Sequence, residues 1–306
     1  MSHDLARAGL QLALLAVVPP LLPGIVSRVK ARVAGRKGPP LLQLYSDLAR
    51  LCRKGEVKST TAGAAFHLGP VVAAAGALAA GLLVPGPGSP ALLAFRGDLF
   101  LLAGLLAAGR FCTVLSALDT GSAFEGMGAA REVTFASLAE PALFLCLLTL
   151  SRATGELSLS AMLGPALGPA WALWAPALLL CAVALFVVAL AENSRIPVDD
   201  PTTHLELTMI HEVMVLDHSG PDLALVLYGA AVKLYVFGAL LARLLLGGGG
   251  QGLLGGSLSL LVGLALFAIA VGLVESTMAR LRLARVPQLL VGAGVLSLFA
   301  FVLLVR

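Results

Sequence analysis

Charged residues are scarce in this chain. Only 12% of its 306 residues are Asp, Glu, Lys or Arg, whereas a soluble protein carries about 25%. Hydrophobic residues make up 58%, and the mean hydropathy is +0.96. A soluble protein of this length buries at most about three quarters of its surface, so it could not hide this much apolar area. The composition excludes a soluble globular protein and predicts an integral membrane protein.

Metal-binding cysteine patterns are also missing. The four cysteines show no CxxC spacing, and three of them fall within apolar runs. We interpret those three as small buried hydrophobic residues rather than ligands. The sequence therefore predicts no iron–sulfur cluster, zinc ion or other cofactor in this chain.

A cleavable signal peptide and an internal repeat are absent as well. Leu5–Val18 is apolar, but the basic residues Arg28, Lys30 and Arg32 follow it instead of preceding it. This order predicts an uncleaved first span with its N-terminus outside. The lack of a repeat disfavours a transporter built from inverted halves.

Eight apolar runs are long enough to cross about 30 Å of hydrocarbon, which takes roughly 20 helical residues. We therefore predict an all-α integral membrane protein, with residues 1–306 forming a single polytopic domain. The predicted spans lie near 5–27, 64–84, 98–118, 133–151, 171–191, 223–246, 257–276 and 287–305.

Four longer polar loops, near 28–62, 119–132, 192–222 and 277–286, alternate with short Pro/Gly-rich turns. The polar loops hold fourteen Lys or Arg residues, against five on the opposite side. Positive charge marks the cytoplasmic side. The sequence therefore predicts long cytoplasmic loops, both termini outside, and a place in the cell (inner) membrane.

The first of these loops combines basic charge with an amphipathic helix. A basic run ends at Gly38-Pro39-Pro40, which predicts a rigid turn, and Leu41–Lys54 then has helical periodicity. This helix would lie on the membrane surface or against a partner. The basic residues alone are equally explained by attraction to anionic lipid.

Two charged side chains fall inside predicted spans. Glu140, just before Pro141, is a candidate for a proton relay or for a helix–helix hydrogen bond at a kink. Lys233 would pair with a carboxylate, extend to the membrane surface, or be neutral. Arg110 and Glu275 are interpreted as ordinary span-end or interhelical charges.

The segment 192–222 is the most polar part of the chain. Pro197 and Pro201 break the helix after Glu192, and 204–217 is predicted to resume it with His204, His211 and His218 on one face. Seven-residue spacing places neighbouring histidines about 10 Å apart, too far for one metal ion. The histidines would cover an interface, or exchange protons with Glu206 and Glu212.

These residues carry a family resemblance. The segment resembles subunit 1 of respiratory complex I in the pattern Ala191-Glu192-x-x-Arg195-x-Pro197-x-Asp199, followed by Glu206-Leu207 and Ser219-Gly220. Two other loops look like the family's first and second cytoplasmic loops, through Arg36-Lys37-Gly38-Pro39 with Leu42-Gln43 and Asp47, and through Gly121 to Arg131-Glu132.

Two departures from the complex I pattern indicate which branch of the family the chain resembles. Thr202 and His204 stand where quinone-reducing members carry acids, and the stretch before Ser219-Gly220 is about three residues longer. In this stretch the chain is similar to the membrane subunits of group 4 nickel–iron hydrogenases of the formate hydrogenlyase type.

The resemblance implies a membrane-anchoring and coupling subunit. Its partners would be the hydrogenase large and small subunits, iron–sulfur proteins, antiporter-like membrane subunits and the bilayer, with no nucleic acid. The nickel–iron centre and the iron–sulfur clusters would lie in partner subunits. Alternatives are a quinone-site subunit, a stand-alone proton or cation transporter, and a purely structural anchor.

Site residues follow from the same resemblance and from membrane depth. The motif itself implies proton-coupling roles for Glu192, Arg195, Asp199 and Glu206. Depth and neighbouring polarity add Glu132, Glu140, Glu212 and Lys233. The docking surface would include Arg36, Lys37, Gly38, Pro39, Asp47 and Arg131.

Overall fold

The computed structural model describes residues 2–58, 62–199, 209–247 and 252–305, and within these ranges every regular element is a helix. Seven helices are long and apolar enough to span a membrane, and a bent pair at the N-terminus makes an eighth. The predicted all-α membrane fold is confirmed. The α-helices are α1 Ser2–Val17, α2 Leu21–Val33, α3 Gln43–Leu51, α4 Ala64–Leu83, α5 Asp98–Asp119, α6 Ala123–Thr154, α7 Leu159–Met162, α8 Leu167–Glu192, α9 His211–Met214, α10 Gly220–Leu246, α11 Leu253–Thr277 and α12 Val286–Leu303.

The first span is broken rather than straight. Helices α1 and α2 meet at an angle of 48° around Pro19-Pro20. Proline has no backbone N–H, so it removes hydrogen bonds that the preceding carbonyls would accept. Two tyrosine hydroxyls supply donors at the break: Tyr228 donates to the Ala16 carbonyl at 3.1 Å, which Pro20 cannot serve, and Tyr45 donates to the Val17 carbonyl. The break is therefore fixed in place by α3 and α10.

Removing one of these hydroxyls should loosen the bend. We expect Tyr228→Phe to lower the free energy of unfolding by about 1 kcal/mol, the usual net value of one hydrogen bond. Tyr235→Phe, on the same helix, is the matched control because no hydrogen bond of Tyr235 is found among the described residues. Thermal unfolding in detergent tests this. Equal melting temperatures for the two variants would contradict the role of Tyr228.

The second polar loop is shorter than predicted. The sequence predicts a loop over residues 119–132, but α6 already begins at Ala123, so most of that range is helical. The glycines there are tolerated because the helix packs tightly: a Cβ on Gly128 would lie 2.2 Å from Val213 Cγ1. Glu132 is consequently a helical residue rather than a loop residue.

The amphipathic helix after the first span is confirmed as α3, although the turn predicted at Gly38-Pro39-Pro40 lies at Leu41-Leu42, where the Gln43 N–H donates to the Pro40 carbonyl. The helix predicted over 204–217 is not confirmed within the described residues 209–217. Residues 200–208, including His204 and Glu206, lie outside the described residues, and α9 covers only His211–Met214. His211 and His218 therefore do not share a helix face.

Close packing brings four helices around the polar centre of the molecule. Helix α4 packs against both α5 and α10, while α6 packs against α5 and α8. Small residues allow this approach: a Cβ on Gly229 of α10 would lie 3.1 Å from the Ala74 Cα of α4. The inner faces of α5, α6, α8 and α10 can therefore bring side chains together.

Candidate functional site, a buried ion cluster

One guanidinium joins three helices. Arg110 of α5 donates to Glu140 of α6 and to both carboxylate oxygens of Glu192 at the end of α8. Its Nε lies 3.4 Å from Oε1 of Glu132. The Arg110 side chain is only 7% exposed. A buried charge is tolerated only when it is paired and hydrogen-bonded, and here the pairing is threefold.

A second cation completes the cluster. Lys233 Nζ of α10 lies 2.8 Å from Oε2 of Glu192, whose side chain is 2% exposed. Of the three possibilities for Lys233, the structure shows pairing with a carboxylate. We call Arg110, Glu132, Glu140, Glu192 and Lys233 the buried ion cluster.

The charges of this cluster do not cancel. Three carboxylates face two cations, so the fully ionised cluster carries a net charge of −1. An uncompensated charge is costly in a medium of low dielectric constant. The cluster therefore favours binding one more proton or one more donor.

A cavity of about 100 Å³ adjoins the cluster. Arg110, Glu132, Glu192 and Lys233 line one part of it, and apolar residues of α4, α5 and α10 line the rest. It has room for several water molecules, but it is smaller than the cavity of about 150 Å³ known to hold benzene. Water in this cavity would contact the four charged side chains on one side and apolar side chains on the other.

His211 forms part of the wall of the same cavity. Burial lowers the pKa of His211 from its ordinary value, with neighbouring Glu212 opposing the shift. The imidazole is therefore neutral near pH 7, so one ring nitrogen can accept a hydrogen bond and the other can donate one. Within the described residues Glu212 itself forms no ion pair.

Asp199 lies beside the cluster and joins two parts of the 192–222 segment by hydrogen bonds. Its carboxylate accepts hydrogen bonds from the backbone N–H groups of Ile210 and His211, at 3.2 and 3.1 Å, and pairs with Arg280 at 2.7 Å. A cavity of about 10 Å³ lies between Asp199 and Glu132, which is room for about one water molecule.

A third group of charges surrounds Glu275. Its fully buried side chain lies 2.9 Å from Lys30 Nζ of α2 and 3.4 Å from Arg195 Nη1. Arg195 therefore pairs across to α11 rather than with Glu192, its neighbour in the motif. This group lies where α2, α11 and the segment after α8 meet.

The candidate docking residues differ in exposure. Arg36, Lys37 and Pro39 are exposed, and Gly38 packs closely enough that a Cβ would lie 2.8 Å from the Ala31 Cβ. Asp47 accepts hydrogen bonds from Gln43 and Arg50. Arg131 donates to the Met209 carbonyl at 2.9 Å, so it holds the middle of the 192–222 segment against α6.

Sequence reasoning misses Arg110 and Glu275. It interprets both as ordinary interhelical charges, yet each lies at the centre of a charge group. The available signal is depth: Arg110 stands twelve residues after Asp98, near the middle of an apolar span. An ionisable residue at such depth is a functional candidate by default.

The chain matches one family and two bacterial proteins over most of its length. The NADH dehydrogenase family model matches residues 7–305. Hydrogenase-4 component C of Escherichia coli (strain K12) is 36% identical over 239 residues, covering 77% of this chain and 73% of that protein. Formate hydrogenlyase subunit 4 of the same organism is 32% identical over 304 residues, covering 96% of each.

The fold of this chain is also found in solved structures, among them that of the membrane-bound sulfane sulfur reductase, an archaeal respiratory membrane complex. One of its chains is similar to this one with a TM-score of 0.83 and 22% identity, covering 98% of this chain and 99% of that chain.

Proposed function

The chain belongs to the NADH dehydrogenase family, and from this premise we propose that it is the membrane-anchoring and coupling subunit of a membrane-bound nickel–iron hydrogenase complex of the formate hydrogenlyase type. The resemblance to subunit 1 of complex I and to hydrogenase membrane subunits is confirmed by the family match and by the two bacterial relatives. The chain is a multi-pass membrane subunit in this family.

The hydrogenase branch is supported by the names of both relatives, one of which aligns along nearly the whole chain. Thr202 and His204, which stand where quinone-reducing members carry acids, also favour the hydrogenase branch.

The docking role rests on the polar loops. With fourteen basic residues they would face the cytoplasm, leaving both termini outside. Exposed Arg36 and Lys37 would contact the hydrogenase large and small subunits and the iron–sulfur proteins. The nickel–iron centre and the iron–sulfur clusters would belong to those partners, with none in this chain.

The coupling role rests on one observation: Glu192 is buried between two cations from different helices, Arg110 and Lys233, beside a cavity with room for several water molecules. If such a carboxylate changes its ion-pair partner or binds a proton, the helices that it joins can shift. Its protonation state and the helix positions would therefore depend on each other. Asp199 with Arg280, and Arg195 with Glu275, would connect this cluster to the cytoplasmic side. Antiporter-like subunits would carry the proton onward.

Purification tests the assignment. A tagged chain is isolated from native membranes in mild detergent, its partners are identified, and nickel and hydrogen–viologen activity are measured. We expect nickel and hydrogenase activity to copurify. Flavin and quinone reductase activity without nickel would assign the chain to a dehydrogenase instead. Ion transport by the chain alone in liposomes would indicate a stand-alone transporter.

A further inference from the structure

One carboxylate of the buried ion cluster reaches the outer surface of the helix bundle. The Glu140 side chain is 39% exposed, whereas those of Glu132 and Glu192 are 14% and 2% exposed. Within the predicted span 133–151, Glu140 lies about 10 Å from one end and about 17 Å from the other, at 1.5 Å per residue. Its exposed side therefore faces the membrane interior and not water.

Such exposure is costly if lipid covers it. A charged side chain deep in a bilayer faces a bundle interior or another protein, because hydrocarbon offers no hydrogen bonds. Arg110 satisfies only the inner side of the Glu140 carboxylate. Because the cluster carries one more negative than positive charge, the uncovered oxygen is a strong hydrogen-bond acceptor.

The surface around Glu140 has the shape of a helix-binding groove. A cavity of about 100 Å³ lies between α5 and α6 beside Arg110 and Glu140. Ala103, Gly104 and Ala107 of α5 line it together with the larger Phe100, Leu106, Leu143 and Phe144, and a Cβ on Gly104 would meet no atom within 4 Å. Small residues of this kind let a second transmembrane helix approach closely.

We propose that the α5–α6 groove is the binding surface for a transmembrane helix of another subunit, which places a hydrogen-bond-donating side chain opposite Glu140. The occupant is identified by its chemistry: an apolar helix supplies contact with the small residues, and its donor satisfies the excess acceptor of the cluster. The proposal rests on the chain being one subunit of a membrane complex, and it extends the coupling path of that complex through Glu140.

Photo-crosslinking in the intact complex tests the groove. Gly104→Cys is made in a chain whose other accessible cysteines, Cys52 and Cys112, are serine, and the thiol is labelled with benzophenone maleimide. Gly292→Cys on α12 is the matched control, since a Cβ there also meets no atom within 4 Å. We expect position 104, and not 292, to give an adduct with an apolar segment of another subunit that contains a polar donor. Adducts only with lipid, or with a second copy of this chain, would overturn the proposal.

The donor is tested through Glu140 itself. Glu140→Gln retains an acceptor oxygen, whereas Glu140→Ala removes it, and Arg110 keeps Glu132 and Glu192 as partners in both variants. We expect retention of the crosslinked subunit during purification to fall about tenfold in the alanine variant only. Wild-type retention in that variant would refute the contact.

The two outcomes are separable from the hydrogenase assignment. A crosslinked membrane subunit in a complex without nickel would leave the groove in place and remove the proposed function. Nickel and hydrogenase activity with no protein adduct at position 104 would support the proposed function and refute the groove.

Discussion

Arg110→Met is expected to lower the free energy of unfolding by about 3–5 kcal/mol, the cost of breaking a buried ion pair by removing one partner. The substitution removes the only cation that contacts Glu132 and Glu140 within the described residues. It also changes the net charge of the buried ion cluster from −1 to −2. We expect little folded chain to be recovered from membranes, and a lower melting temperature for what is recovered.

Two variants show whether this loss comes from the cluster. Arg110→Lys keeps the charge but cannot reach three carboxylates with a planar fork, so its loss should be smaller. Arg243→Met is a second control: Arg243 is 1% exposed, and its side chain donates to the Gly86 carbonyl at 2.6 Å without a carboxylate partner among the described residues. If Arg110→Met is no more harmful than Arg243→Met, the cluster does not stabilise the fold.

Lys233→Met is expected to reduce proton transport by at least about tenfold, while hydrogen–viologen activity in the soluble partners is unchanged. The substitution leaves Arg110 as the cation that pairs with Glu192. The carboxylate can then no longer shift its salt bridge between two cations, and a proton path that depends on this shift is blocked. A tenfold loss corresponds to about 1.4 kcal/mol, which is modest for a buried ion pair.

A double variant separates stability from coupling. Lys233→Met alone makes the cluster more negative, whereas Lys233→Met with Glu192→Gln restores its net charge to −1. We expect the double variant to recover assembly relative to Lys233→Met, since removing both partners of a buried pair costs less than removing one. It should not recover transport. Recovery of both together would mean that these residues serve assembly only.

Most of the membrane topology follows from the sequence because a span requires an uninterrupted apolar run. The eight predicted spans correspond to α4, α5, α6, α8, α10, α11, α12 and the bent pair α1–α2. The bend itself was not predicted, although Pro19-Pro20 marks it. Its stability depends on Tyr45 and Tyr228, which come from distant parts of the chain.

The candidate site was only partly predictable, because its residues also come from distant parts of the chain. Depth in an apolar span singled out Glu140 and Lys233, and the family motif singled out Glu192, and the structure shows these three side chains in one ion-paired group. Their common partner Arg110 could be recognised only once α5, α6, α8 and α10 were packed together. Of the helix predicted over 204–217, the described residues 209–217 show only α9, His211–Met214, and Asp199 accepts hydrogen bonds from the Ile210 and His211 N–H groups at the start of that helix.

The most direct test of the coupling claim is the number of protons moved per hydrogen molecule formed. Sealed vesicles containing the intact complex are driven with electrochemically reduced viologen, and an internal pH dye is read beside hydrogen production. For Glu192→Gln the buried ion cluster predicts hydrogen production at the wild-type rate with little internal acidification. A wild-type ratio of protons to hydrogen in that variant would contradict the claim that Glu192 couples the two.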